Sequence, residues 1–323
     1  IPWDTLYNVA MDQYSKGINM LIPHAVWFND RDVTFEPELS HRNRLYNQGL
    51  YEFNTFLARL NMLLRNDDRF VTDVAMLYPI ETMQGEHYFD GPLGAYAGGV
   101  KIPDMDYVQF SQRLTNELGR DFQFLHPEVL QDACRVDTKQ YNTFRTLIVP
   151  SSKTISVANL AKILTFFEAG GQVIFTTQLP VKSTEPNADA QVVALMDKLL
   201  PEKLRSSGEP HTNPAGGRVV FLAKPGADAL RNALARPSET FDVEFPEGIV
   251  PMRYIHKERA GKDIYYFANL NGKAFDSAVA LRGKKRYELW NPHTGEVTAL
   301  QPEYAKKGKD LVSLVRLRVE PSQ

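Results

Sequence analysis

Eight residues between positions 24 and 42 carry side chains suited to holding or acting on a ligand: His24, Trp27, Asn29 and Asp30, then Glu36, Glu38, His41 and Arg42. Aromatic faces stack on the C–H patches of sugars, and fixed imidazole and amide groups bond sugar hydroxyls. His24, Trp27 and Asn29 are therefore the candidate substrate-binding residues for a carbohydrate. A paired-carboxylate glycosidase needs two carboxyl groups, about 5 Å apart or roughly 6.5 to 9.5 Å apart according to stereochemical course. Glu36 and Glu38 are the acids at hand, but loop carboxylates are usually just solvated, so the sequence assigns no catalytic residue. His24 serves equally well as a rim hydrogen-bonder with no ligand.

The elements around these residues can be read from periodicity. Leu6, Val9, Ala10 and Tyr14 recur near helical spacing over residues 4–16, and Gly17 stands where a helix would stop. Ile18, Asn19, Met20, Leu21, Ile22 and Pro23 then form a mostly apolar run that suits a buried strand, delivering His24 and its neighbours to a rim. Leu50, Phe53, Phe56, Leu57, Leu60 and Leu64 follow the i, i+3, i+4, i+7 rule and predict a long one-faced helix. Helix, buried strand with a polar carboxyl end, loop and long helix is the pattern of the closing segment of a (β/α)8 (TIM) barrel, assigned to residues 1–68. One and a half such units cannot close a barrel. Either further strands precede Ile1 in a longer protein, as the abrupt start Ile1-Pro2-Trp3 also suggests, or the segment packs on another part of the chain.

Residues 69–237 change pattern. Apolar runs over 71–79, 122–125, 146–150, 172–176 and 218–222 alternate with helical spacing over 106–119, 157–169, 192–200 and 227–235. Alternation of this kind implies a parallel, doubly wound α/β sheet. Residues 238–323 change again, with short strand candidates at 250–256, 263–269, 277–281, 286–290, 296–299 and 311–319, and turns at Gly261, Asn271-Gly272 and Gly283. That texture predicts an antiparallel β-module, read as a β-sandwich.

Composition excludes more than it names. The 37 basic and 39 acidic residues nearly cancel, so no strong field would draw the chain to nucleic acid or an anionic membrane. No run approaches the roughly 18 apolar residues of a membrane span. Cys134 is the one cysteine, which leaves no internal disulfide and no cysteine cluster for zinc. Neither dinucleotide nor phosphate glycine patterns follow a predicted strand, so no cofactor is expected. A nucleophile in the α/β domain would sit on a sharp turn, but Val149-Pro150-Ser151-Ser152-Lys153 lacks the flanking glycines. Ser151 or Ser152 capping the next helix is the simpler reading, and the domain is expected to be catalytically silent. The loop over 83–99 holds Glu86, His87 and Asp90. Adjacent residues rarely converge on one ion, so no metal site is expected there.

Several segments together resemble the α-L-rhamnosidases of glycoside hydrolase family 106 and their relatives. These are Gly17-Ile18-Asn19 through His24, Phe56-Leu57-Ala58-Arg59-Leu60 with Leu63-Leu64, and Asp73-Val74-Ala75-Met76-Leu77-Tyr78-Pro79. Residues 141–150 and 166–179 and Glu288-Leu289-Trp290-Asn291-Pro292-His293-Thr294-Gly295 extend the likeness over most of the chain. The resemblance implies a catalytic barrel whose last strand bears a substrate-facing histidine, matched by His24. It also implies a flavodoxin-like, class I amidotransferase-like domain without amidotransferase chemistry, and β-sandwich modules. The family's acid and base would lie largely before Ile1, so the chain alone is expected to be inactive and to pack on an upstream barrel domain. By the same resemblance the protein is periplasmic or extracellular and acts on an oligosaccharide or polysaccharide.

Two other functions fit the sequence less fully. A non-catalytic scaffold, oligomerisation or carbohydrate-binding region would show an exposed aromatic patch in the β-module, whereas Trp290 beside the Asn291-Pro292 turn is expected to be buried. An independent flavodoxin-like regulatory domain needs a phosphate or flavin loop that the sequence does not contain.

Overall fold

The computed structural model describes residues 1–23, 38–65, 68–86, 105–133, 144–235 and 239–322. Two compact units result, one made of residues 1–71 with 237–323 and the other of residues 72–236. The first unit begins with α1 (Trp3–Tyr14) and α2 (Leu50–Leu64). Their buried stripes are Leu6, Ala10, Met11 and Tyr14 on one helix and Phe53, Phe56, Leu57, Leu60 and Leu64 on the other. Both stripes follow the 3.6-residue period that predicted them. A two-residue strand, β1 (Arg69–Phe70), follows.

The strand expected over residues 18–23 does not form. These residues have no regular structure and pair with no strand among the described residues; Ile22 is 80% exposed and Ile18 and Met20 are each 47% exposed. A barrel strand is buried by neighbours that complete its ladder, and without them an apolar run has no hydrogen-bonding reason to become a strand. The segment is instead tied to the end of α2, where the Asn19 amide donates to the Arg65 carbonyl at 3.3 Å.

The second unit is the predicted parallel α/β domain. Its strands are β2 (Val74–Leu77), β3 (Gln123–Leu125), β4 (Thr146–Val149), β5 (Gln172–Thr176), β6 (His211–Thr212) and β7 (Arg218–Leu222). They lie in the order β3-β2-β4-β5-β7-β6, parallel except for β6 at the edge. Taken in order of occurrence, the five parallel strands give 2-1-3-4-5, a doubly wound order that reverses direction between β2 and β4. Every residue of β2, β4 and β5 is buried, as expected for strands covered on both faces.

The helices of this unit are α3 (Ile80–Gly85), α4 (Tyr107–Gln112) with a π turn at Arg113–Glu117, α5 (Pro127–Ala133), α6 (Val157–Glu168), α7 (Asp189–Leu199), α8 (Glu202–Arg205) and α9 (Ala227–Leu234). Leu160, Ile163, Phe166 and Phe167 of α6 and Val192, Met196 and Leu199 of α7 pack with Leu147, Val149, Val173, Phe175 and Val219 of the sheet. The residue that caps α6 is Ser156, whose side chain accepts the Asn159 N–H at 3.2 Å. This corrects the assignment of capping to Ser151 or Ser152, which lie too far before the helix. After α6, Gly170 turns the chain at φ 98, and a Cβ there would sit 2.8 Å from the Ala215 carbonyl oxygen, so glycine is required.

The chain then returns to the first unit as β8 (Val243–Glu244), β9 (Arg253–Arg259), β10 (Lys262–Ala268), β11 (Phe275–Arg282), β12 (Tyr287–Trp290), β13 (Val297–Leu300), β14 (Glu303–Lys307) and β15 (Asp310–Val319). Three antiparallel sheets form: β1-β9-β10, β14-β15-β11-β8 and the ribbon β12-β13. Alternation along β9 and β10 sends the two faces of their sheet to different cores. Ile255, Ile264, Tyr266 and Ala268 join the helical core of α1 and α2. Tyr254, Tyr265 and Phe267 join Phe275, Val279, Leu281, Val315 and Leu317. Helices α1 and α2 thus form a layer on the β-module, and each fully buried apolar side chain there contributes about 1.5–3 kcal/mol.

Cations fasten that layer. Lys257, 2% exposed, donates from Nζ to the Leu64 carbonyl at 2.7 Å, and Arg259 donates to the Leu63 carbonyl at 2.7 Å. Arg259 also forms a fork on Asp68 at 2.6–3.0 Å. Helix C-termini present unsatisfied carbonyls and a partial negative charge, so Lys257 and Arg259 answer both needs. On the same helix Arg59 donates to the carbonyls of Pro292 and His293 at 2.9 and 2.6 Å, joining α2 to the turn between β12 and β13.

Candidate functional site

His24, Trp27 and Asn29, with Asp30 and Glu36, fall outside the described residues. What the structure shows is how the stretch that carries them is flanked. On one side is the Asn19 tie to α2. On the other, Glu38 is 1% exposed, and its Oε1 accepts from Ser40 Oγ at 3.0 Å and from Arg42 Nη2 at 2.9 Å. Glu38 is therefore a buried, paired carboxylate rather than the solvated loop acid its sequence position suggested. Enclosing a carboxylate without partners would cost several kcal/mol, and Ser40 and Arg42 supply those partners. His41 is exposed. The geometry gives Glu38 the work of holding the chain as it leaves the candidate sugar-facing stretch.

The turns at the carboxyl ends of the α/β strands show a second polar group. Asp106 accepts the Ser151 N–H at 2.8 Å on one oxygen and the hydroxyls of Thr176 and Thr177 at 2.5 and 2.6 Å on the other. Thr177 has φ 56, a left-handed conformation that β-branched residues rarely adopt. The strain lies after β5, not at the Val149-Pro150-Ser151 turn where a nucleophile was considered. Ser151 is fully buried and its hydroxyl meets no hydrogen-bond partner among the described residues, while Ser152 Oγ donates to the Pro150 carbonyl at 2.5 Å. Among the described residues no base is set against either serine. Nucleophilic catalysis requires one within hydrogen-bond reach, so these groups read as a brace. Cys134 lies outside the described residues.

Of the loop acids considered for a metal, Glu86 pairs with Lys153 at 3.1 Å and Lys182 at 3.9 Å, and His87 and Asp90 are outside the described residues. Among the described residues no group of three or more His, Cys, Asp or Glu is arranged to hold an ion. No described helix is long and apolar enough to cross a membrane.

Sequence reading missed a buried charged cluster. His256, 2% exposed, has Nδ1 2.7 Å from Asp242 and Nε2 2.8 Å from Asp263, and its ring stacks on Tyr265 at 4.0 Å. Asp263 also pairs with Lys285 at 2.7 Å. Burial opposes charging the imidazole, but the hydrogen bonds and charges of Asp242 and Asp263 prevail and raise its pKa above 6.5. Asp263 is held at about 2, chiefly by the bond from His256, with Lys285 adding to it. Trp290, expected to be buried, is 44% exposed, with Nε1 donating to Glu288 at 3.1 Å.

A family model described as α-L-rhamnosidase, glycoside hydrolase family 106, matches residues 5–306. The chain belongs to that family. This family 106 chain is similar in structure to a rhamnosidase from Novosphingobium sp. PP1Y, with TM-score 0.66 and 18% identity, covering 100% of this chain and 29% of that one. A β-galactosidase from Bacillus circulans sp. alkalophilus is also similar, with TM-score 0.51 and 12% identity over 86% of this chain and 46% of that one. At such identities the likeness is one of fold. No curated protein matches the family 106 chain. It spans less than a third of the length of the rhamnosidase and under half that of the β-galactosidase.

Proposed function

We propose that this chain is part of a secreted glycoside hydrolase that cleaves α-L-rhamnosyl O-glycosidic bonds in polysaccharide degradation, at the cell surface, in the periplasm or outside the cell. The single observation that carries this reading is the family match over residues 5–306. His24, Trp27 and Asn29 line the sugar pocket, and the two carboxylates that such hydrolysis requires come from sequence outside this chain. The 29% coverage of the rhamnosidase supports that division of labour. So does the exposed apolar run at residues 18–23: Ile18, Met20 and Ile22 are alternate positions, as in a strand awaiting neighbours. Residues 1–68 would then close a barrel, with the α/β domain and the β-module, read as a sandwich, supporting it.

The test is His24→Ala and Trp27→Ala in the full-length protein. Loss of a sugar contact should lower kcat/KM on an aryl α-L-rhamnoside about 10- to 100-fold with the unfolding midpoint unchanged. Unchanged kcat/KM in both variants would remove these residues from the pocket.

A second reading is favoured by one observation. Trp290 and Glu288 share a face of the β12-β13 ribbon, and Val297 opposite Trp290 is 51% exposed. An open indole beside a carboxylate suits a sugar-stacking platform, as a non-catalytic carbohydrate-binding region would have. Trp290→Ala weakening retention on a polysaccharide while leaving aryl glycoside hydrolysis intact would support it, and unchanged retention would dismiss it.

A further inference from the structure

The α/β unit contains a cavity of about 400 Å³ that neither the barrel segment nor the brace at Asp106 uses. Its walls come from three places. Ile80, Glu81 and Gln84 belong to α3, just after β2; His126, Pro127 and Glu128 follow β3; Ser156 and Asn159 open α6, after β4. In the sheet β2 stands between β3 and β4, and the winding reverses between β2 and β4. The cavity therefore lies at the carboxyl ends of the strands around the topological switch point, the position where open α/β sheets bind ligands. The volume falls within the range of small-molecule pockets.

The lining decides the ligand class. Flavins and nucleotides present a phosphate to the free N–H groups of a helix N-terminus, but here the Glu81 carboxylate already sits at the α6 N-terminus. Glu81 Oε1 accepts the Ser156 N–H at 3.2 Å and the Asn159 amide at 3.3 Å, and Ser156 caps the Asn159 N–H. An anion entering the cavity would meet the carboxylates of Glu81 and Glu128. The Ser156 side chain also bonds Glu81, and Gln84, His126 and Glu128 are exposed at the mouth. These groups both donate and accept, and Ile80 and Pro127 add an aliphatic wall. Mixed donors and acceptors beside an apolar surface match a ring that carries hydroxyls on its edge and C–H groups on its faces.

We infer that the cavity bounded by α3, α5 and the start of α6 binds a neutral, hydroxyl-rich ligand of mono- or disaccharide size. The inference rests on the α/β domain alone and stands whether or not the chain forms part of a rhamnosidase.

Ligand-observed NMR titration of the 323-residue chain with L-rhamnose, D-galactose, D-glucose and inorganic phosphate tests it. Two variants at the exposed mouth accompany the native chain: Gln84→Trp, which fills the opening, and His126→Ala, which removes a hydrogen-bonding group. Glu81 is kept because it also holds the α6 N-terminus. Thermal unfolding shows that each variant is folded, and either one suffices if the other is not. The expected result is saturable binding of at least one sugar with Kd below about 10 mM, weakened about tenfold or more in the folded variants, with no displacement by phosphate. No saturable sugar binding, sugar binding untouched by the variants, or phosphate binding in place of sugar would each overturn the inference.

Discussion

The ammonium group of Lys257 donates to the carbonyl of Leu64 at 2.7 Å across 193 positions of sequence. Lys257 also lies 4.8 Å from the centre of the Phe70 ring. One side chain thus joins β9, the end of α2 and β1, and makes the helical layer dependent on the β-module. Lys257→Met keeps most of the volume but removes the donor and the charge. Losing a charged hydrogen bond to a buried acceptor should cost about 1.5–3 kcal/mol, read as a lowered urea midpoint. A midpoint equal to the native one would show that the Leu64 carbonyl is satisfied in another way.

The clamp on His256 sets a pH dependence whose direction is fixed by its neighbours. The native pKa is raised above 6.5 by Asp242 and Asp263 despite burial. The stabilisation from the imidazolium is therefore present in full below about pH 6.5 and is lost as pH rises through the native pKa, at no more than about 1.4 kcal/mol per pH unit. Asp263 behaves oppositely: its contribution is present above 3.8 and lost as pH falls toward about 2. Denaturant unfolding of native and His256→Gln chains at pH 6 and pH 9 should show a large gap at pH 6 that narrows at pH 9. An equal gap at both would mean that folding does not raise the pKa of the imidazole.

Asp106 satisfies three donors at the ends of β4 and β5. Asp106→Ala should lower stability by about 2–6 kcal/mol, since each of the two buried donors, on Ser151 and Thr176, costs about 1–3 kcal/mol when abandoned. Asp106→Asn, which keeps one acceptor oxygen, should lie between this variant and the native chain. The order of the three thermal midpoints is the measurement, and an alanine variant as stable as the native chain would show the brace to be idle.

How much of this was legible in the sequence follows from the range of the interactions. Runs such as Val74–Leu77 and Gln172–Thr176 announced themselves as strands because helices cover both their faces, and the α6 period was unmistakable. The short helices α3 and α5, of six and seven residues, span too few turns for a period to show. Residues 18–23 have a strand's composition without a strand's neighbours, and composition alone cannot supply hydrogen-bond partners. The His256 cluster was unreadable because its carboxylates come from Asp242 and Asp263, at separations of 14 and 7, and meet only after β9 and β10 pair. Glu38 looked like a solvated acid, and its burial depends on Ser40 and Arg42 folding back on it. For His24, Trp27 and Asn29 the sequence supplied residue types, and for His24 a resemblance as well; their place in a sugar pocket is a proposal.

The most direct measurement is the initial rate of hydrolysis of an aryl α-L-rhamnoside and an aryl β-D-galactoside, by the full-length protein and by the 323-residue chain side by side. Cleavage of the rhamnoside in preference to the galactoside by the full-length protein, with no cleavage by the chain alone, is the expected result. Cleavage of the rhamnoside by the chain alone, or a full-length protein that prefers the galactoside or cleaves neither, would contradict the assignment.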